Sequence, residues 1–309
     1  MKKMRISSIL LSGTMAAAMF GAAATAADFE DAGPLPAVSG VNGKIELGGG
    51  WADIEELDDD ALFYGGAALS FPVGDTFGLQ FDVSAVDVFN DTLVGGNVHF
   101  FTRDPDSYLL GIVAGAGFAD DADLYFVGPE AELYLGNFSI EAWGGYLNLD
   151  FDGAPSEDEF FAQVDLGLYA TDDLRFTVGA SSVADFESAH ARVEWQIGDI
   201  GLPLSLTADA EIGEDDFMAF TAGIKIYFGA EDKSLIRRHR EDDPPIRALS
   251  LFTALGNGAF LKAAGCDPEF GGGDDGGGDD GGCAGGGDDG GVDCLDGDPE
   301  DLAPPYCID

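Results

Sequence analysis

Between residues 41 and 228 polar and apolar side chains alternate with a period of two, segment after segment, and this restricts the fold more than any other feature. In the last segment Met218, Phe220, Ala222, Ile224, Ile226 and Phe228 share one face, while Thr221, Gly223, Lys225 and Tyr227 share the other. A helix would scatter these residues, whereas an extended strand sorts them. About twelve such segments succeed one another, each long enough to cross a bilayer as a tilted strand. They are predicted at Gly43–Asp53, Ala61–Val73, Phe77–Val88, Thr92–Arg103, Tyr108–Phe118, Asp123–Leu135, Phe138–Leu149, Phe160–Ala170, Leu174–Val183, Ala189–Ile197, Leu204–Ile212 and Phe217–Phe228.

The phase of the alternation separates a lipid face from a wet one. Outward fall Leu79, Phe81, Val83, Leu133, Leu135, Val164, Leu166, Leu168, Val193, Trp195 and Ile197. Inward fall the candidate pore-lining residues Lys44, Glu46, Asp82, Asn97, His99, Glu130, Glu132, Glu141, Asp165, Arg175, Arg192, Glu194, Asp209, Glu211 and Lys225, with Gln80, Gln163, His190 and Gln196 beside them. Charged groups facing hydrocarbon would cost several kcal/mol each near the midplane, so their regular inward phase requires a lumen. A water-soluble barrel would reverse the pattern, and its apolar lining is not expected here. Gly111 and Gly115 are expected to leave space in the bore. Aromatics such as Trp51, Phe71, Tyr108, Phe118, Phe138, Tyr146 and Phe228 fall near strand ends, where interfacial girdles sit; Trp143 reads inward instead.

The predicted architecture is therefore all-β: a transmembrane antiparallel up-and-down β-barrel over residues 41–229, with a low-complexity C-terminal tail over 230–309. Short turns are expected at 74–76, 136–137, 171–173 and 198–203, and longer acidic loops at 54–60, 119–122, 150–159, 184–188 and 213–216. The connections at 89–91 and 104–107 are shorter than outward loops usually are. An even strand count returns both ends of the body to the periplasm.

Residues 1–26 read as a signal peptide: Lys2, Lys3 and Arg5 precede an apolar run, and Ala24-Thr25-Ala26 offers small residues for cleavage. A lead of residues 27–40 comes next. Beyond the signal no stretch reaches the roughly 18 apolar residues of a spanning helix. A net charge of −44 excludes nucleic acid as a partner, because phosphates demand basic surface.

The spacing Thr221-x-Gly223-x-x-Ile226-x-Phe228 resembles the assembly signal of bacterial outer-membrane barrels, and the body resembles the porin-like outer-membrane proteins of Gram-negative bacteria. The resemblance implies a cell outer-membrane location, contact with outer-membrane lipid and the barrel assembly machinery, and passive diffusion of small polar solutes. Lining carboxylates outnumber lining cations, so a conducting bore is expected to prefer cations. One alternative is a closed barrel, its lining ion-paired, serving as an anchor or binding scaffold. Another is an outer-membrane hydrolase, for which His190 with Ser188 two residues away is the least weak candidate; no catalytic residues are assigned.

In the tail, Arg237-Arg238-His239-Arg240 forms a basic knot suited to anionic headgroups or to a solvated linker, and a short helix is expected near Leu249–Ala264, against the rim or in the bore. The Gly-Gly-Gly-Asp-Asp repeats at 271–280 and 285–289 read as disordered chain on the periplasmic side. Their Asp pairs offer oxygen to Ca²⁺, though the spacing fits no calcium loop; otherwise no cofactor and no metal is expected. Cys266, Cys283, Cys294 and Cys307 are disulfide candidates in an exported chain, with the pairing open.

Overall fold

Twelve antiparallel strands close on themselves in sequence order in this computed structural model, each paired with its chain neighbours and β1 with β12. They are β1 (Asn42–Asp53), β2 (Asp60–Val73), β3 (Phe77–Val88), β4 (Asp91–Asp104), β5 (Tyr108–Phe118), β6 (Ala122–Leu135), β7 (Phe138–Phe151), β8 (Glu157–Thr171), β9 (Leu174–Val183), β10 (Phe186–Ile197), β11 (Leu204–Gly213) and β12 (Met218–Phe228), with helices α1 (Leu235–Glu241) and α2 (Arg247–Ala254) after them. The structure describes residues 35–53, 60–88, 91–119, 122–151, 155–197, 203–214, 216–229 and 233–255. The signal peptide, the Gly/Asp repeats and the four cysteines lie outside the described residues. Among the described residues no helix is long and apolar enough to cross a membrane.

Closure is a consequence of the alternation. The seam runs from Gly43 opposite Phe228 to Asp53 opposite Met218, so the proposed assembly-signal residues Ile226 and Phe228 sit on its lipid side and Thr221 and Gly223 on its inner side. Gly74 (φ 64°) and Gly136 (φ 61°) make the tight turns at one end. At the other end Ala184 (φ 47°) and Asp185 (φ 62°) form a two-residue hairpin with both centres left-handed, the hand that matches strand twist. Pro129 interrupts the β6–β7 ladder, and the backbones draw so close beside it that a Cβ on Gly128 would lie 1.9 Å from the Gly144 carbonyl oxygen.

Connections run from two to six residues at both ends, so the expected contrast between short turns and long loops is absent. The strands absorb the difference: β8 and β10 begin at Glu157 and Phe186, three residues earlier than their alternation alone predicts. We call the end holding 74–76, 105–107, 136–137, 172–173 and both barrel termini the turn end, and the opposite one the loop end.

Candidate functional site

Outside the barrel, Ile45, Phe81, Val83, Ile112, Leu166, Val178 and Ile224 belong to a continuous apolar surface on alternate positions. Inside, Asp82, His99, Glu130, Glu132, Asp165 and Glu194 are buried among hydrogen-bond partners on the intervening positions. Hydrocarbon satisfies the first set and only a polar interior the second. The chain is a transmembrane β-barrel of the outer-membrane type. Its sequence matches no family model and no curated protein. Among solved structures the barrel is similar to the porin KdgM in complex with disordered oligogalacturonate (7% identity over 60% of this chain and 99% of that one, TM-score 0.46). It is also similar to the porin NanC (9% identity, 60% and 100%, 0.45) and to the translocator domain of the autotransporter NalP from Neisseria meningitidis (10%, 62% and 88%, 0.43). These likenesses are of architecture alone.

The lumen of the barrel is occupied by its own chain. After β12, α1 lies across the turn end: Leu235 N–H donates to Asp173 Oδ1 (3.1 Å), Ile236 N–H to the Asp172 carbonyl (3.0 Å), and Arg240 Nη2 to the Phe138 carbonyl (2.9 Å). The lead closes over it, Ser39 N–H donating to the Glu241 carbonyl and Arg103 Nε to the Ala37 carbonyl. The basic knot is thus spent on the mouth, with Arg238 over Tyr227 and Arg240 over Tyr134, while Arg237 pairs with Glu241 at the surface. His239 sits between Tyr169 (2.8 Å) and Tyr227 (2.9 Å), and burial pushes its imidazole down to about 4.

The chain then turns inward. Lys44 Nζ donates to the Pro244 carbonyl (2.6 Å), and Arg103 Nη2 to that of Asp242 (2.7 Å). Asp243 faces Lys44 at 3.8 Å without a hydrogen-bond partner among the described residues, and burial raises its carboxyl to about 6. Deeper still, Ala248 N–H donates to Asn97 Oδ1 (3.2 Å), while Arg247, 1% exposed, reaches Glu132 (3.3 Å) and Glu130 (3.5 Å) and lies over Trp143. Trp143 therefore points inward to pack against the plug, which explains its departure from the girdle. His99 bridges Asp82 (2.9 Å) and Glu130 (2.8 Å) behind Arg247.

Towards the loop end the inner wall changes character. Leu62, Val86, Leu93, Val113, Leu124, Phe126, Leu147, Leu149 and Phe161 form one buried cluster with Ile246, Leu249, Leu251, Phe252 and Leu255 of the plug. This corrects the expectation of a wholly polar lining: towards the loop end the bore is apolar where the plug covers it. Gly111 and Gly115 likewise leave no open space. A Cβ on the first would lie 2.9 Å from Glu130 Oε1, and one on the second 2.5 Å from the Phe126 ring.

Every predicted pore-lining residue points inward, and the plug divides them. Asp82, Asn97, His99 and Glu130 are covered by it, and Lys44 and Glu132 touch it from its edge. Glu46, Glu141, Asp165, Arg175, Arg192, Glu194, Asp209, Glu211 and Lys225 line a cleft on the far side, with about 120 Å³ open to the centres of water molecules. Ion pairs brace that cleft: Arg175 with Glu141, Arg192 with Asp209 (2.7 Å), Lys225 with Glu194 (3.0 Å) and Glu46 (3.3 Å). Ser188 donates to Glu211 (2.6 Å) and His190 meets Asp165 (2.7 Å), so the two are committed to different carboxylates and form no nucleophile–base pair. Among the described residues no group of three His, Cys, Asp or Glu is placed to hold a metal. Sequence reasoning missed Arg247 and Ile246, whereas Phe252 belongs to the helix expected near Leu249–Ala264 against the rim or in the bore, and lies in the bore. The signal was present in the inward phase of Leu124, Phe126, Leu147 and Leu149, apolar residues that needed a cover.

Proposed function

We propose that the protein is a porin-like conduit in the outer membrane whose own C-terminal segment narrows the bore, passing water and small polar solutes with a preference for cations. The observation that carries this reading is the off-axis position of the plug. α2 rests on β2, β3 and β4, and the cleft runs beside it along the opposite wall, from Lys225 and His239 near the turn end to Ala219, Thr253 and Ala254 near the loop end. Its lining holds seven carboxylates (Glu46, Glu132, Glu141, Asp165, Glu194, Asp209, Glu211) against five cations (Lys44, Arg175, Arg192, Lys225, Arg247). A formal excess of two carboxylates in a narrow low-dielectric wall favours cations. Outer-membrane lipid contacts the apolar belt, and the assembly machinery reads the β12 edge at Thr221, Gly223, Ile226 and Phe228.

Planar-bilayer recording of the full-length protein tests it. Small unitary steps are expected, with a reversal potential in a salt gradient displaced towards the cation's equilibrium value, and Glu211→Gln should reduce that displacement. An anion-directed reversal potential overturns the selectivity. A second reading, the closed anchor, is favoured by the buried ion pairs that hold the plug; absence of steps from both wild type and a plug-loosened variant would establish it in place of the conduit.

A further inference from the structure

The plug does more than fill the bore, because it has a direction. Residues 233–241 lie at the turn end beside Asp172, Asp173 and Phe138. Pro244 lies beside Gln80, the fourth residue of β3 from that end, and Ala248 beside Asn97, midway along β4. Phe252 reaches Gly95 and Gly117, the latter one residue from the loop-end terminus of β5, where added Cβ atoms would meet its ring at 2.7 and 2.9 Å. The chain therefore climbs the barrel from one mouth towards the other, and Leu255 is the last residue described along that path. Another 54 residues lie beyond it (309 − 255). A return to the turn end would have to share the bore with the plug, beside which the cleft offers about 120 Å³ to the centres of water molecules.

We propose that the barrel threads its own C-terminus: with both barrel termini at the periplasm, as the even strand count implies, residues 256–309 leave through the loop end and are presented on the outer face of the membrane, not on the periplasmic side where the sequence alone places the tail. The segment delivered there carries 14 carboxylates and a single lysine, Lys262, together with all four cysteines of the chain. Threading accounts for the position of the assembly signal well before the end of the chain: β12 closes the barrel, and the residues beyond the plug are cargo that the plug holds in place. The proposal stands on the path of the plug and not on conduction, so a barrel that passes no ions leaves it intact.

The test uses intact cells producing the full chain with an epitope tag after Asp309. Antibody should stain intact cells, and a polyethylene-glycol maleimide too large for any porin should label the tail cysteines once an impermeant phosphine has reduced them. Staining and labelling that appear only after the outer membrane is disrupted would overturn the proposal. A second arm fixes the plug in place: Asn97→Cys with Ala248→Cys should cross-link across the observed contact, and the cross-linked species should still bind antibody on intact cells. Loss of surface binding in that species would show that the tail reaches the outside only when the plug is out of the bore, and threading would be refuted.

Discussion

Replacing Arg247 by alanine is the sharpest probe of the plugged lumen. Its guanidinium, 1% exposed, is the only cation the plug sends to the middle of the bore among the described residues, where it meets Glu132 and Glu130 and stacks near Trp143. Alanine would leave the Glu130, Glu132 and Glu141 cluster with one fewer buried counter-charge. Breaking a buried pair by deleting one partner costs roughly 3–5 kcal/mol. Since each 1.4 kcal/mol is about a factor of ten, the docked-to-undocked ratio of the plug should fall by roughly two to three and a half decades. Single-channel recording reads this as openings that are larger and longer than wild type, and limited proteolysis reads it as faster cleavage within 233–255. Arg247→Lys, which keeps the charge but loses the fork, should fall between the two. Unchanged conductance and unchanged protection, in a variant whose barrel still resists unfolding in detergent, would refute the idea that ion pairing seats the plug.

Acid and lipid give two further expected outcomes. His239 docks neutral and is held at about 4, below the ordinary 6.5, so acidification from about 6.5 to 4 protonates the undocked state first and weakens docking. Asp243 is raised from 3.8 to about 6, so the same acidification strengthens docking through its window. The two oppose, so wild-type plug release by urea, monitored by Trp143 emission, should change less over this range than in a variant lacking either group. Asp243→Asn should expose the loss on acidification and His239→Gln the gain; if both variants track wild type, neither group titrates on docking. On the lipid face, Val83→Arg should reduce folding free energy in lipid vesicles by roughly 2–4 kcal/mol, against less than about 1 for Asp106→Arg in a turn. Equal effects at the two sites would remove Val83 from the hydrocarbon.

The barrel was legible because a period of two is a local signal that neighbours in sequence carry alone. Strands β3, β5 and β9 coincide with their alternation, and the inward phase of Lys44, Glu130, Asp165 and Lys225 reflects the cost of charge in hydrocarbon. Loop lengths were not legible, since β8 and β10 gain their first residues by cross-strand pairing, as Glu157 does opposite Leu149 and Phe186 opposite Val183. The plug is a non-local feature. Glycine-poor yet short, α2 looks like any amphipathic octamer until the wall facing it is known.

That wall nevertheless leaves an imprint in charge. Along the described strands the inward carboxylates that meet the plug or line the cleft, Glu46, Asp82, Glu130, Glu132, Glu141, Asp165, Glu194, Asp209 and Glu211, number nine, against five cations, Lys44, Arg103, Arg175, Arg192 and Lys225. Residues 233–255 then bring five cations, Lys233, Arg237, Arg238, Arg240 and Arg247, with three acids, Glu241, Asp242 and Asp243. Arg247 answers that excess directly at Glu130 and Glu132, while Lys233 and Arg237 pair with Glu241 and Asp242 of their own segment. The same count explains why the plug leans as it does. Arg247 is drawn to Glu130 and Glu132 on β6, whereas on the far wall the carboxylates Glu141, Asp209 and Glu194 already hold Arg175, Arg192 and Lys225. Strand-borne cations thus free one wall from needing the plug, and the cleft opens along that wall.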